Sequence, residues 1–207
     1  MRHRRAQEPL QSVRLVAFAN SLRAFVVSWP CWLIGSFRLA RQPFRNYQAA
    51  MFKSQMPLAL EQARAAARRG ETPVGAVLTD PEGNVLAADG NRVRELSDPT
   101  AHAEILVLRT AANVIGSERL SGCGLTVTLE PCPMCAGAIA HARIARLWYA
   151  AADPKGGGVE HGARVFSHPT CNHAPEIYSG IAEQEASELL RTFFRDLRDP
   201  DLRHRHD

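Results

Sequence analysis

The sequence predicts an α/β domain, a three-layer α/β/α sandwich built on a mixed sheet. Three observations carry that expectation. Short apolar runs of strand length alternate with longer stretches whose apolar residues recur at helical spacing. Two of the runs are joined by Asp80-Pro81-Glu82-Gly83-Asn84, a turn by its chemistry, so they form a hairpin. The later runs are each followed by a helix, which puts helices on both faces of the sheet.

In order, residues 55–69 form a helix whose apolar stripe is Leu58, Ala59, Ala63, Ala66 and Ala67, with Gly70 as its stop. Residues 73–78 read as a buried strand and 85–88 as its returning partner, closed by the loop Asp89-Gly90-Asn91-Arg92. A second helix starts near residue 101 and stops near Gly116, with Thr100 as candidate N-cap. Residues 124–129 are a short buried strand broken by Pro131, after which Met134, Ala136, Ile139 and Ala140 return at helical spacing. Residues 144–150 form another strand. Residues 153–158 are a loop, flexible by its glycine content, and 167–173 fit no regular element. A last amphipathic helix spans about 181–197. No internal repeat is visible.

Two fragments carry chemistry. Thr128-Leu129-Glu130-Pro131-Cys132-Pro133-Met134-Cys135 supplies two thiolates on one turn, and Thr100-Ala101-His102-Ala103-Glu104 supplies an imidazole and a carboxylate. His102, Cys132 and Cys135 are three zinc ligands, which leaves the fourth tetrahedral position to water, as catalytic zinc requires. Glu104 stands two residues past His102, off its face of a helix, so it is placed to act on that water rather than to close the metal. Both fragments open helices, whose positive dipole ends favour deprotonated ligands. A lone Cys-x-x-Cys would be structural zinc or a redox pair; the accompanying His-x-Glu is what moves the reading to catalysis.

The five cysteines (31, 123, 132, 135, 171) form no disulfide-like framework, and a reducing, cytoplasmic compartment suits them. Residues 1–50 hold eight arginines against one acid, Glu8, more than the whole chain's net +4, so the remainder is net acidic. Any nucleic-acid binding by that remainder must use a local patch. The apolar residues 24–34 are too short for a membrane span and contain Pro30, so no membrane association is expected. Residues 1–50 are expected to be an over-long translation start, with Met51 or Met56 the functional beginning, or else a disordered or targeting extension. The domain proper is then 51–200, and 201–207 is a flexible, solvated tail.

His102-Ala103-Glu104 with Pro131-Cys132-Pro133-Met134-Cys135 resembles the zinc-dependent cytidine deaminase superfamily. Within it, residues 56–198 are similar to the bacterial tRNA-specific adenosine deaminases. That resemblance also rests on Pro73-Val74-Gly75-Ala76-Val77, Gly90-Asn91-Arg92, Asp98-Pro99-Thr100, His141-Ala142-Arg143-Ile144, Asp153-Pro154-Lys155, His168-Pro169-Thr170 and Phe193-Phe194-Arg195. It covers about seven-tenths of the chain and finds no counterpart for residues 1–50.

The resemblance implies a cytidine deaminase-like fold, one Zn²⁺ per subunit, and conversion of adenosine to inosine at wobble position 34 of tRNA. It implies Glu104 as the proton shuttle to a zinc-activated water, with the target base splayed out of an anticodon stem-loop. It also implies a homodimer. Asn91 would contact the target base, or else be a left-handed turn residue after Gly90. Asp153 and Lys155 would contact the RNA backbone and 2′-hydroxyls, or else form a solvated turn. Phe194 and Arg195 would stack on a base and reach a phosphate, while Phe193 belongs to the core. Two rivals stand beside this reading: a free-base or nucleoside deaminase of guanine or cytidine type, and a non-catalytic zinc module that binds RNA. The second needs a fourth protein ligand, from Cys171 or His173. Otherwise His168, Cys171 and His173 belong to a packed or RNA-facing loop.

Overall fold

The computed structural model describes residues 54–199; expectations for residues 1–50, for Cys31 and for the tail from 201 onwards lie outside them. The elements run α1 (Met56–Arg68), β1 (Gly75–Thr79), β2 (Val85–Gly90), α2 (Ala103–Ile115), β3 (Gly124–Leu129), α3 (Pro133–His141), β4 (Arg146–Ala151), β5 (Glu176–Ser179) and α4 (Glu183–Arg198). A single 3₁₀ turn, Val165–Ser167, precedes β5. The sheet order is β2-β1-β3-β4-β5. β1 is antiparallel to both β2 and β3, whereas β3, β4 and β5 are mutually parallel, so the sheet is mixed.

Alternation along β1 shows how the layers form. Ala76 and Leu78 point to one face, joining Val107, Leu108 and Ala111 of α2 and Ile139 of α3; Val77 points to the other, joining Met56, Ala59 and Leu60 of α1 and Ala186 of α4. The predicted sandwich is therefore present.

Two glycines allow α1 to sit close. Gly75 and Gly90 are cross-strand partners. A Cβ at Gly75 would lie 2.1 Å from the Ala59 carbonyl oxygen, and one at Gly90 would lie 2.5 Å from that of Gln62. The helix face set against them is Ala59, Ala63 and Ala66, all fully buried. Small residues on both sides let backbone approach backbone.

Several boundaries differ from the sequence expectation. The residue before α2 is His102, not Thr100; Thr100 instead forms a local turn, its hydroxyl donating to Asp98 Oδ1 at 2.7 Å. Met134 is exposed, and the buried side of α3 is Cys135, Ala136 and Ile139. α4 begins at Glu183, because Ala182 adopts a left-handed conformation (φ 59°) that ends the preceding turn. Phe193 is only partly buried, edge-on to Phe194. β5 was not expected at all. It is a four-residue edge strand whose Tyr178 stacks on Trp148 of β4.

Among the described residues, no helix is long and apolar enough to cross a membrane.

Candidate active site

The carboxyl ends of β3 and β4 and the start of β1 meet at one end of the three central strands, where open α/β sheets place their ligands. Both motif fragments arrive there at helix N-termini. His102 immediately precedes α2 and Cys132 immediately precedes α3, each with extended backbone (φ −71°, ψ 151°; φ −68°, ψ 169°). Glu104 and Cys135 then fall in the first turns of the two helices. An extended N-cap residue swings its side chain across the helix mouth, so these caps point two ligands at one spot.

His102 Nδ1 lies 3.7 Å from Cys132 Sγ and 3.5 Å from Cys135 Sγ. Ligand atoms of the three residues all fall within 4.8 Å of one another. One imidazole and two thiols at this spacing fit a tetrahedral zinc. The thiols also fit it chemically. The hydrogen bond from Cys135 is the main cause that brings Cys132 down to about 4; burial opposes it and His102 assists. Cys135 is raised, first by its hydrogen bond to Cys132 and then by burial. A ready thiolate is what a metal ion recruits.

Among the described residues, no fourth His, Cys, Asp or Glu joins this group. Cys171 Sγ donates to the His173 carbonyl oxygen at 3.1 Å, and His173 Nε2 lies 2.6 Å from the Ile144 carbonyl oxygen. The suppliers that a closed zinc module would need are thus engaged elsewhere.

A cavity of about 330 Å³ opens beside the cluster, lined by Asn91, His102, Glu104, Cys132 and Asp153 among others. That volume is at the small end of the ~300–1,000 Å³ typical of ligand sites. Glu104 is 3 % exposed. Burial pushes its carboxyl above the ordinary range, with its own backbone amide and His102 pulling the other way. Asn91 is buried, and its Oδ1 accepts the Ala103 N–H at 2.8 Å, capping α2 from a neighbouring loop. It is not among the left-handed residues, so the turn-residue alternative is overturned. With its oxygen committed to the helix, the nitrogen of the same carboxamide is the group left for a ligand.

Of the remaining expected contacts, Asp153 lines the cavity and Lys155 sits exposed on the same loop. Asp153 Oδ1 accepts the N–H groups of Lys155 (3.1 Å) and Gly156 (2.9 Å), so this turn is self-bonded. Phe194 and Arg195 are exposed on α4, on the α1 side of the sheet, and do not line the cavity.

Two buried acids escaped the sequence reading. Glu71 accepts the N–H groups of Arg94 and Glu95, both at 2.8 Å, and holds one loop beside the cavity. Glu130 holds the opposite one, and with it the glycine-rich segment that composition marked as flexible. Their signal was slight: one acid after a helix-stopping glycine, one at a strand end.

The model of the cytidine and deoxycytidylate deaminase zinc-binding region matches residues 51–151. A tRNA-specific adenosine deaminase of Agrobacterium fabrum is 61% identical over 143 residues, 69% of this chain and 93% of that relative. The chain belongs to the tRNA-specific adenosine deaminase family. A solved structure from studies of A-to-I editing by tRNA:A34 deaminases at the wobble position has TM-score 0.64 and 61% identity, covering 65% of this chain and 97% of that one. A guanine deaminase from Nitrosomonas europaea is more distant, at TM-score 0.58 and 26% identity over 67% of this chain and 81% of its own. The adenosine deaminase family and that guanine deaminase thus share one fold.

Proposed function

We propose that this protein is a zinc-dependent deaminase that converts adenosine to inosine at wobble position 34 of tRNA. The observation that carries the substrate is the 61% identity to a tRNA-specific adenosine deaminase across nearly all of that relative. The chemistry is hydrolysis: the oxygen of water becomes bonded to C6 of the base, the C6–N bond breaks, and the exocyclic nitrogen leaves as ammonia. Zinc held by His102, Cys132 and Cys135 would supply Lewis acidity and a water acidified to a pKa near ~7.

The chain's own groups do the rest. Glu104, buried beside the cluster with its carboxyl raised by that burial, takes a proton from the attacking water. It delivers that proton to ring nitrogen N1, then takes the second proton, from the hydroxyl newly bonded to C6, and passes it to the departing amine as C6=O forms. The Asn91 carboxamide, fixed through Ala103, orients the base beside it. Asp153 and Lys155 on the rim, with Phe194 and Arg195 beyond it, grip the anticodon stem-loop. Small size favours one splayed nucleotide in the cavity, not a duplex.

Three further assignments belong to this proposal. Residues 51–200 form the deaminase domain, so a chain starting at Met51 should fold and deaminate as the full chain does. The enzyme is a homodimer, its partner seated on the broad groove of about 990 Å³ between α2, α3 and residues 165–173, where Ile105, Leu108 and Val165 give an apolar floor. Sedimentation at micromolar concentration distinguishes dimer from monomer. The protein acts in the cytoplasm, where tRNA is processed.

The deciding experiment incubates purified protein with an anticodon stem-loop carrying adenosine at position 34, and separately with free adenosine, guanine and cytidine, at matched salt. Inosine should form in the stem-loop, with the free compounds poor substrates. Turnover of guanine or cytidine beside an inert stem-loop would transfer the protein to a free-base or nucleoside reading.

A further inference from the structure

Glu130 has no part in the chemistry derived above, yet its side chain is entirely buried at the edge of the cavity. A carboxylate at that depth must be saturated with donors. Oε1 accepts the N–H groups of Val159 (3.2 Å), Glu160 (2.9 Å) and His161 (2.9 Å). Oε2 accepts the Asp153 N–H at 3.0 Å and lies 2.7 Å from His161 Nδ1. Every one of these partners belongs to the segment 153–161, which leaves β4 and walls the cavity through Asp153 and Gly156.

The glycines of that segment are explained by the same docking. A Cβ at Gly157 would lie 2.6 Å from the Glu130 carboxyl carbon and from Oε1. One at Gly158 would lie 2.6 Å from the Pro133 nitrogen and 2.8 Å from the Cys132 carbonyl carbon. Neither glycine has a left-handed φ, so each is there for close approach and not for a turn. The Gly158 N–H also donates to the Pro131 carbonyl oxygen at 2.8 Å. The segment is thus pressed against the turn that carries the metal ligand Cys132.

We propose that Glu130 is a positioning residue: it docks segment 153–161 onto the Cys132–Pro133 turn and so fixes the gap between the metal ligands and the rim that receives the substrate. A buried ionic group is a poor choice if stability alone is wanted, since apolar replacements often do as well. Backbone amides that must be held in one arrangement are a better reason for it. The identity of the substrate rests on the function proposed above; the docking does not.

Glu130→Gln tests it. At the Oε1 position its NH₂ would face three backbone N–H donors, and at the Oε2 position it would face that of Asp153. Zinc content should stay at one per chain. Amide hydrogen exchange at Val159, Glu160 and His161 should speed up about tenfold or more. With a stem-loop substrate, KM should rise about tenfold while kcat falls much less, because the displaced rim weakens substrate binding whereas the metal ligands and Glu104 lie outside the segment. Gly157→Ala, which leaves the carboxylate in place but pushes the segment off it, should reproduce the KM effect. Unchanged exchange in Glu130→Gln, or unchanged KM in both variants, overturns the proposal. Loss of zinc and fold in both would also overturn it, because Glu130 would then be structural only. If the wild-type protein is inert on the stem-loop, the substrate reading fails, and the exchange measurement still decides the docking.

Discussion

At the scale of single residues, the site separates holding a metal from moving a proton by two positions in one helix turn. His102, as the cap of α2, faces Cys132 and Cys135, while Glu104 lies buried in the first turn, beside Cys135 and not one of the three mutually close ligand groups. Glu104→Gln keeps the shape and removes the titrating group. It should retain zinc and bind the stem-loop while losing turnover by at least the ~10²–10⁴-fold typical of a general acid–base, measured under single-turnover conditions. Asn91 caps Ala103 and is proposed to contact the base, and its removal tests both. Asn91→Ala deletes the cap on Ala103, which should lower stability by about 1 kcal/mol in denaturant titration. If Asn91 also contacts the base as proposed, KM should rise well beyond what that small loss of stability explains.

At the scale of elements, packing depends on what is missing as much as on what is present. Gly75 and Gly90 give α1 a flat seat, and Gly75→Ala would drive a methyl into the Ala59 carbonyl at 2.1 Å. The atom met is helix backbone, which cannot swing aside, so the loss should equal or exceed the ~1–3 kcal/mol of ordinary overpacking. The midpoint of thermal unfolding checks this, with zinc present throughout. The same elements show what a sequence makes legible. Helices α1 and α2 end at Gly70 and Gly116, both left-handed, and those stops were readable because glycine chemistry is local. β1 and β3 were readable from unbroken apolar runs. β5 was not: Glu176–Ser179 is short, only partly buried, and defined by pairing with β4. The convergence of His102, Cys132 and Cys135, with Glu104 buried in the same site, was legible because metal chemistry demands residue types at fixed spacing. Glu71 and Glu130 were not, because their partners are backbone amides, which every residue has. For the same reason the glycines at 157 and 158 read as slack when they are close contacts.

At the scale of the whole molecule, the question is how a body that is net acidic holds a polyanion. The eight arginines of residues 1–50 precede the segment matched by the zinc-binding-region model, so any grip by the proposed domain itself would come from few, well-placed cations. Lys155 projects from the docked rim, and Arg195 sits on α4, 3.3 Å from Asp196. If both reach phosphates, each contact releases counterions on binding. Lys155→Ala and Arg195→Ala should then each weaken stem-loop binding and lower the slope of log K against log salt by about 1. Zinc content and unfolding midpoint should stay at wild-type values, because both side chains are exposed. The two variants need not agree. A loss at Lys155 alone would confine the RNA to the cavity rim, whereas a loss at Arg195 as well would extend its path across the sheet edge to α4. A slope unchanged in both would mean that neither residue meets a phosphate, and the binding patch would have to be sought elsewhere on the domain.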